Sequence, residues 1–160
     1  MLKGISPIVA AVLLIAVAIS VGVLATTWVR NWVMEQTQQE LLSCVLDTEY
    51  HVSDVEYNTT SKLMKAKITN KNSRKLYSFG VVIDNGTTQL EVAYNSSNIT
   101  LSPNITSANK LDRERSVYLT LNLTDYTSYS TIGSSATKVI ITNQVCTAVT
   151  ASSTTITQKS

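Results

Sequence analysis

The sequence is poor in the residues that build most catalytic and metal-binding sites. Its 160 residues include one histidine, His51, one phenylalanine and two cysteines, with no Gly-x-Ser-x-Gly motif and no Cys-x-x-Cys pair. A hydrolase nucleophile elbow and a cysteine-rich zinc site are therefore absent, and His51 has no recognisable partner pattern. An enzyme is the weakest interpretation, and we expect no catalytic residues, no metal and no cofactor.

Charge is also sparse, with 13 basic and 11 acidic residues and a formal net charge of +2 at pH 7. A balance this close to neutral implies neither nucleic acid nor an anionic lipid surface as a partner. In the densest basic stretch, residues 62–75, Lys65 and Lys67 alternate with Ala66 and Ile68. This alternation indicates the solvated face of a strand. We interpret in the same way a small carboxylate cluster at strand spacing, formed by Asp47, Glu49, Asp54 and Glu56.

One long apolar run dominates the N-terminal part of the chain. Residues 5–29 contain no charged side chain, and a single lysine, Lys3, precedes them. As a helix this run spans about 37 Å, more than the ~30 Å hydrocarbon core of a bilayer. A secretory signal has an apolar core of only about 7 to 15 residues, so simple secretion is disfavoured. The lysine favours a cytoplasmic N-terminus, which puts everything after Trp32 outside the cell.

Two details of the run concern the helix itself. Ser6 before Pro7 predicts that the helix begins near Pro7, because serine caps helices and proline is favoured at the first helical position. Ala18 and Gly22 have the small-xxx-small spacing that lets apolar helices approach closely. We therefore take Ala18 and Gly22 as candidate helix-packing residues.

The two cysteines, Cys44 and Cys146, lie at opposite ends of the region after the apolar run. An even number of cysteines in this arrangement predicts one long-range disulfide, formed in an oxidising compartment. A metal site is the alternative, but the chain offers too few further ligands for it. The disulfide supports an extracellular location.

Acceptor motifs for N-glycosylation, Asn-x-Ser/Thr, are dense after the apolar run. Three of them fall in residues 95–110, which we expect to form an exposed loop. The alternative is that Ser, Thr and Asn are simply common in exposed strands and turns, because the motif recurs by chance. The six candidate acceptors are Asn58, Asn85, Asn95, Asn98, Asn104 and Asn122.

Beyond the helix the pattern changes to period two, in a stretch rich in Thr, Val, Ile, Tyr and Ser, which favours strands with polar outer faces. Asn85-Gly86 predicts a type I′ hairpin turn, and the change of phase after Val52 predicts a bulge. We therefore predict an α+β chain, with a long N-terminal hydrophobic helix followed by an antiparallel immunoglobulin-like β-sandwich. The predicted strands are 44–57, 63–70, 76–84, 87–94, 116–123 and 137–145, with an edge strand in the tail 147–160.

The N-terminus carries a family resemblance. Lys3-Gly4 directly before Ile5-Ser6-Pro7-Ile8-Val9-Ala10, followed by the apolar run and a tryptophan-containing exit, resembles the N-terminal segment of archaeal type IV pilins. The resemblance covers roughly the first 35 residues. It departs from bacterial relatives, which carry a glutamate where this chain has Val9. It implies a class III signal peptide at 1–4, cut between Gly4 and Ile5, a stalk and assembly helix at 5–42, and an extracellular head at 43–160.

The resemblance also implies a function. A chain of this family is a structural subunit of an archaeal type IV pilus, which polymerises through its helix into an extracellular, glycosylated adhesion filament. Its implied partners are further copies of itself, a prepilin peptidase, the pilus assembly machinery, an oligosaccharyltransferase and, before assembly, the membrane. Two alternatives stay open: a membrane-anchored surface glycoprotein that never polymerises, and the archaellin of a motility filament.

Overall fold

The computed structural model describes residues 7–126 and 131–160. The chain divides into two compact units, residues 1–42 and residues 43–160. We call the second unit the head. The predicted cleavage junction, Gly4 and Ile5, lies outside the described residues.

The long helix, α1, is Pro7–Asp47 and contains 41 residues. The residues before Pro7 lie outside the described part of the chain, so the predicted start near Pro7 stays a prediction, and the helix continues five residues past the predicted end at residue 42. Cys44 therefore lies in its last turns, and the prediction of a strand there is wrong. The reason is tertiary: the loop after residue 70 caps the helix, with Asn72 Nδ2 2.8 Å from the carbonyl oxygen of Leu46 and the Arg74 amide 3.1 Å from that of Asp47. These bonds satisfy carbonyls that a helix end leaves without partners.

The head is built of β-sheet, and the chain is of the α+β class. A five-stranded sheet has the order β5-β6-β2-β1-β9, and a four-stranded sheet has the order β4-β3-β7-β8. The strands are β1 Tyr50–Asn58, β2 Leu63–Asn70, β3 Phe79–Asp84, β4 Gln89–Val92, β5 Ile99–Ser102, β6 Ser116–Asn122, β7 Lys138–Asn143, β8 Ala151–Ser153 and β9 Ile156–Lys159.

One pairing departs from the predicted antiparallel arrangement. β9 runs parallel to β1, with Val55 opposite Ile156 and Asn58 opposite Lys159. The chain leaves the four-stranded sheet at the end of β8 and joins the five-stranded sheet after only two residues, which brings it alongside β1 in the same direction. The tail is an edge strand as predicted, but the sheet is mixed.

The facing sides of the two sheets share one hydrophobic core. In β6, Val117, Leu119 and Leu121 are buried while the residues between them are exposed or half-buried. In β2, Ala66 and Ile68 are buried, while Lys65 is exposed and Lys67 is half-buried. The alternation predicted for these two strands is confirmed, and it places the apolar residues of both on the core side.

The predicted bulge in β1 is also confirmed. The register with β2 shifts between Ser53 and Glu56, and Asp54 takes a positive φ of 51°. The extra residue lets Val52 and Val55, which are out of phase in the sequence, both face the core.

The hairpin between β3 and β4 has a different turn from the predicted one. The last strand pair leaves the four residues 85–88 in the loop, and only Gly86 has a positive φ, of 88°. A type I′ turn needs a positive φ at two successive residues. Here the side chain of Asn85 builds the turn instead, because its Oδ1 accepts hydrogen bonds from the amides of Thr87 and Thr88 at 3.0 and 2.8 Å.

The predicted exposed loop at 95–110 contains a strand, β5. Ile99 pairs with Leu121 of β6, and Leu101 pairs with Leu119. Ile99 and Leu101 pack against the core while Thr100 between them is exposed, so the alternation is real but only four residues long. The loop prediction is therefore wrong for residues 99–102.

Gly133 makes a close contact that predicts a measurable loss of stability. A Cβ atom added there would collide with Cε2 of the buried Tyr57 ring. We expect Gly133→Ala to lower the free energy of unfolding by about 1 to 3 kcal/mol, because the ring has to move within a packed core. Urea unfolding measures this, with the exposed Thr147→Ala as the control. A Gly133→Ala midpoint equal to that of the control would contradict the contact.

Candidate assembly and modification surfaces

α1 is long and apolar enough to cross a membrane, judged by its length and composition. Every residue from Pro7 to Leu42 is exposed. Large side chains are among the most exposed, including Ile8 at 75%, Leu24 at 70% and Trp28 at 69%. A helix that is apolar on all sides requires lipid or other helices around it. The candidate site of this chain is therefore this helix surface.

The polar side chains inside the apolar part of α1 satisfy themselves within the helix. Ser20 Oγ donates to the carbonyl of Ala16 at 2.8 Å, and the hydroxyls of Thr26 and Thr27 donate to the carbonyls of Gly22 and Val23. A hydroxyl that bonds one turn back needs no water, so these residues fit a dry environment.

The predicted packing residues, Ala18 and Gly22, lie one turn apart on α1. A Cβ atom added at Gly22 would meet no heavy atom within 4 Å. Within the described residues, nothing in the monomer covers this position. A larger side chain at Gly22 therefore does not disturb the monomer and changes only what can approach the helix from outside.

The structure joins Cys44 and Cys146 in a disulfide, as the cysteine count predicts, with Cα atoms 5.7 Å apart. Cys146 is buried and follows β7, where its amide donates to Asn143 Oδ1 at 2.8 Å. The disulfide joins the last turns of α1 to the segment that follows β7 of the four-stranded sheet. Such a bond is compatible with an oxidising, extracellular setting.

A buried tyrosine lies beside the segment that carries Cys146. Tyr50 Oη is 2.8 Å from the carbonyl oxygen of Ile141 and 2.9 Å from that of Val149, and its ring meets that of Phe79 edge-on. Burial raises the pKa of Tyr50 from 10.0 to about 12. The neutral phenol is therefore the form that the folded head holds.

This pKa shift predicts a loss of stability at alkaline pH. Because the folded-state pKa of Tyr50 is raised, its contribution is complete below pH 10 and is lost as the pH rises towards 12. The full contribution of this pKa shift to the free energy of unfolding is about 2 to 3 kcal/mol. Urea midpoints measured from pH 8 to 11.5 should fall more steeply for the wild type than for Tyr50→Phe. The exposed Tyr118→Phe is the control and should keep the wild-type slope; equal slopes for all three chains would contradict the assignment.

None of the six candidate glycan acceptors is fully buried, since each is either half-buried or exposed. Three of them lie close together on the five-stranded sheet. Asn122 pairs with Leu63, and Leu63 pairs with Asn58. The Asn122 amide also donates to the carbonyl of Asn98 at 2.9 Å. Asn58, Asn98 and Asn122 thus lie in one row across the five-stranded sheet, which the sequence did not indicate.

The other three acceptors lie elsewhere. Asn85 is in the hairpin loop, where the hydroxyl of Thr87 donates to its Oδ1 at 2.9 Å. Asn95 and Asn104 line a surface crevice of about 480 Å³ that also contains Ser78. Asn95 and Asn104 are exposed, whereas Asn85 is half-buried and its Nδ2 donates to Ser135 Oγ at 3.3 Å.

That crevice is a further feature of the head that the sequence did not indicate. A second crevice of about 340 Å³ adjoins it and shares Ser78 and Asn95. Ser78 Oγ and Asn95 Oδ1 are 2.6 Å apart, and both residues have a φ of 58°. No local pattern could have revealed the contact, because the two residues are 17 positions apart and belong to loops of different strands.

Two members of the carboxylate cluster predicted from the sequence, Asp54 and Glu56, each form an ion pair with a different lysine. Glu56 bonds Lys159 at 2.7 Å, and Asp54 is 4.0 Å from Lys67. His51 is exposed at the side of β1. Within residues 7–126 and 131–160, no group of three His, Cys, Asp or Glu side chains could hold a metal ion.

No protein-family model matches the chain, and no curated protein matches its sequence.

Proposed function

We propose that this chain is a structural subunit of an archaeal type IV pilus. Its α1 helices assemble side by side into the core of a filament, and the heads, each an immunoglobulin-like sandwich, form the outer sheath used for adhesion. The observation that carries the proposal is α1 itself, an apolar helix exposed on every side and joined to a head that already has a complete core of its own.

The energetics explain why the helix needs a partner. Exposing half of such a helix to water uncovers about 1,000 Å² of apolar surface, which costs at most about 25 kcal/mol. The monomer is therefore stable only with its helix in lipid. Once extruded from the membrane, it is stable only with its helix in a bundle of copies, and such a filament does not readily release subunits.

The length of α1 favours the filament over a simple anchor. Its 41 residues span about 60 Å, twice the ~30 Å hydrocarbon core. In an anchored monomer Pro7–Val29 would fill the bilayer and leave the outer turns in water, with Trp32, Val33 and Leu41 uncovered. Each of these three side chains is at least 49% exposed in the monomer. A bundle of copies covers them as well.

The remaining steps follow from the pilin resemblance. A prepilin peptidase removes residues 1–4, so that Ile5 becomes the mature N-terminus, and the assembly machinery transfers the helix from lipid to the filament. An oligosaccharyltransferase modifies acceptor asparagines of the head. Glycans in the row formed by Asn58, Asn98 and Asn122 would hydrate the five-stranded sheet and shield its edges from wrong pairing.

Peptide mass spectrometry of two fractions tests the proposal. We expect chains sheared from the cell surface to begin at Ile5, and chains in the membrane fraction to include uncut precursor that begins at Met1. A non-polymerising anchored glycoprotein predicts the opposite: no chain in the sheared fraction, and only uncut chains in the membrane. An archaellin would give the first result too, but deletion of its gene would abolish swimming, whereas deletion of a pilin gene would not.

A further inference from the structure

Two charges on α1 have no counter-charge within reach on the same helix. Arg30 lies between Trp28 and Trp32, and the residues three and four positions beyond it are Val33 and Met34. Side chains three or four positions apart are the ones that meet on a helix surface, so Arg30 has no acidic neighbour there. Four ion pairs of the head each involve a lysine, and Arg30 takes part in none of them.

Glu35 is in the same position with the opposite sign. The residues three and four positions from it are Asn31, Trp32, Gln38 and Gln39, none of them basic. Arg30 and Glu35 are five residues apart, which turns their side chains about 140° away from each other around the helix. Arg30 and Glu35 of one helix therefore cannot form an ion pair with each other. Arg30 of one copy can instead form an ion pair with Glu35 of a neighbouring copy.

The geometry of parallel helices makes that contact simple. Five residues correspond to an axial distance of about 7.5 Å. A neighbouring copy displaced by about 7.5 Å along the axis places its Glu35 level with Arg30. Glu40 would need an offset of about 15 Å, and it already has an interaction within its own chain.

The surroundings of Arg30 make an ion pair with a neighbouring copy energetically significant. Its neighbours Trp28, Trp32 and Val33 are the side chains that a bundle has to cover, so assembly also removes water from the guanidinium. A charge that is desolvated without a partner is costly, whereas arginine can bind a carboxylate through two parallel hydrogen bonds. We infer that Arg30 of one copy pairs with Glu35 of an adjacent copy, and that this pair fixes the axial offset between subunits.

This inference rests on the proposed function, and charge reversal separates the two. We expect Arg30→Glu and Glu35→Arg each to reduce the yield of sheared filament by about tenfold or more, because like charges then meet in the bundle. The double variant R30E/E35R restores opposite charges and should recover most of the yield. Gln36→Glu is the matched control: it adds a charge beside Glu35, leaves the pair intact and should assemble as the wild type does.

A cross-linking experiment gives a readout that does not depend on yield. Copies carrying Arg30→Cys and copies carrying Glu35→Cys, expressed together, should form disulfide-linked dimers in oxidised filaments. Copies carrying Arg30→Cys and Gln39→Cys should not. Normal assembly of both single reversals, failure of the double variant to recover, or equal cross-linking in the two pairs would overturn the inference while leaving the filament intact. An absence of wild-type filaments would overturn the proposed function and the pair together.

Discussion

Replacing Cys44 and Cys146 together with alanine should lower the free energy of unfolding of the head by about 4 to 5 kcal/mol. The two residues are 102 positions apart, so the disulfide closes most of the head into one loop. The chain-entropy treatment assigns a loop of this length about 4.7 kcal/mol, because the cross-link removes conformations from the unfolded chain. A domain of ordinary stability has only about 5 to 15 kcal/mol in total, so the loss is close to the limit that folding can tolerate.

Urea unfolding of the full-length chain in detergent, followed by near-ultraviolet circular dichroism of the tyrosines, measures this effect. We expect the midpoint to fall by roughly 3 M, given the urea dependence of domains of this size. The wild type treated with a reductant is the matched control and should behave as the double variant does. A fall of less than about 1 kcal/mol would mean that the contacts of Asn72 and Arg74 with the helix end hold the junction without the disulfide.

Replacing Gly22 with leucine should block assembly while leaving the monomer in the membrane. The position is open in the monomer, so the larger side chain has no effect on folding. In a bundle, where small residues let helix backbones approach, it would hold neighbouring helices apart. We expect the yield of sheared filament to fall by about tenfold or more, with an unchanged amount of chain in the membrane fraction.

Ala16→Leu is the matched control for this experiment. It adds a side chain of the same kind to the same apolar stretch, but about 200° around the helix from Ala18. Its effect on filament yield should be clearly smaller. Equal losses for Gly22→Leu and Ala16→Leu would show that any added volume is harmful and that the Ala18 and Gly22 face has no special role.

The parts of the fold that the sequence predicts correctly are those set by local alternation. β2 is found at its predicted bounds, Leu63–Asn70, because one buried face imposes a strict period of two. The bulge in β1 is readable for the same reason, since two apolar residues out of phase can both be buried only if a residue is inserted. The helix is readable because an uninterrupted apolar run has few other solutions.

The errors occur where distant residues decide the local structure. The loop around Asn72 extends α1 to Asp47. Asn72 is 26 positions from Leu46, whose carbonyl it binds, so the pattern within residues 43–47 cannot predict this cap. The parallel pairing of β9 depends on where the tail crosses between sheets, which alternation does not encode. The side chain of Asn85 replaced the expected type I′ turn, because an asparagine can either adopt a positive φ or bond the amides that follow it.

The candidate surfaces divide in the same way. Gly22, Arg30 and Glu35 can be read from the sequence because a helix fixes their spacing and directions. The row of Asn58, Asn98 and Asn122 needs the order and register of four strands, so it emerges only from the structure. The contact between Ser78 and Asn95 depends on two unusual backbone conformations and could not have been anticipated.

Cryo-electron microscopy of filaments sheared from the cell surface tests the central claim most directly. The account predicts a core of closely packed parallel helices that begin at Ile5, surrounded by β-rich heads, with an axial offset between contacting helices that places Arg30 level with Glu35. Surface filaments that lack this chain, together with a chain found only as an uncut membrane protein, would contradict it.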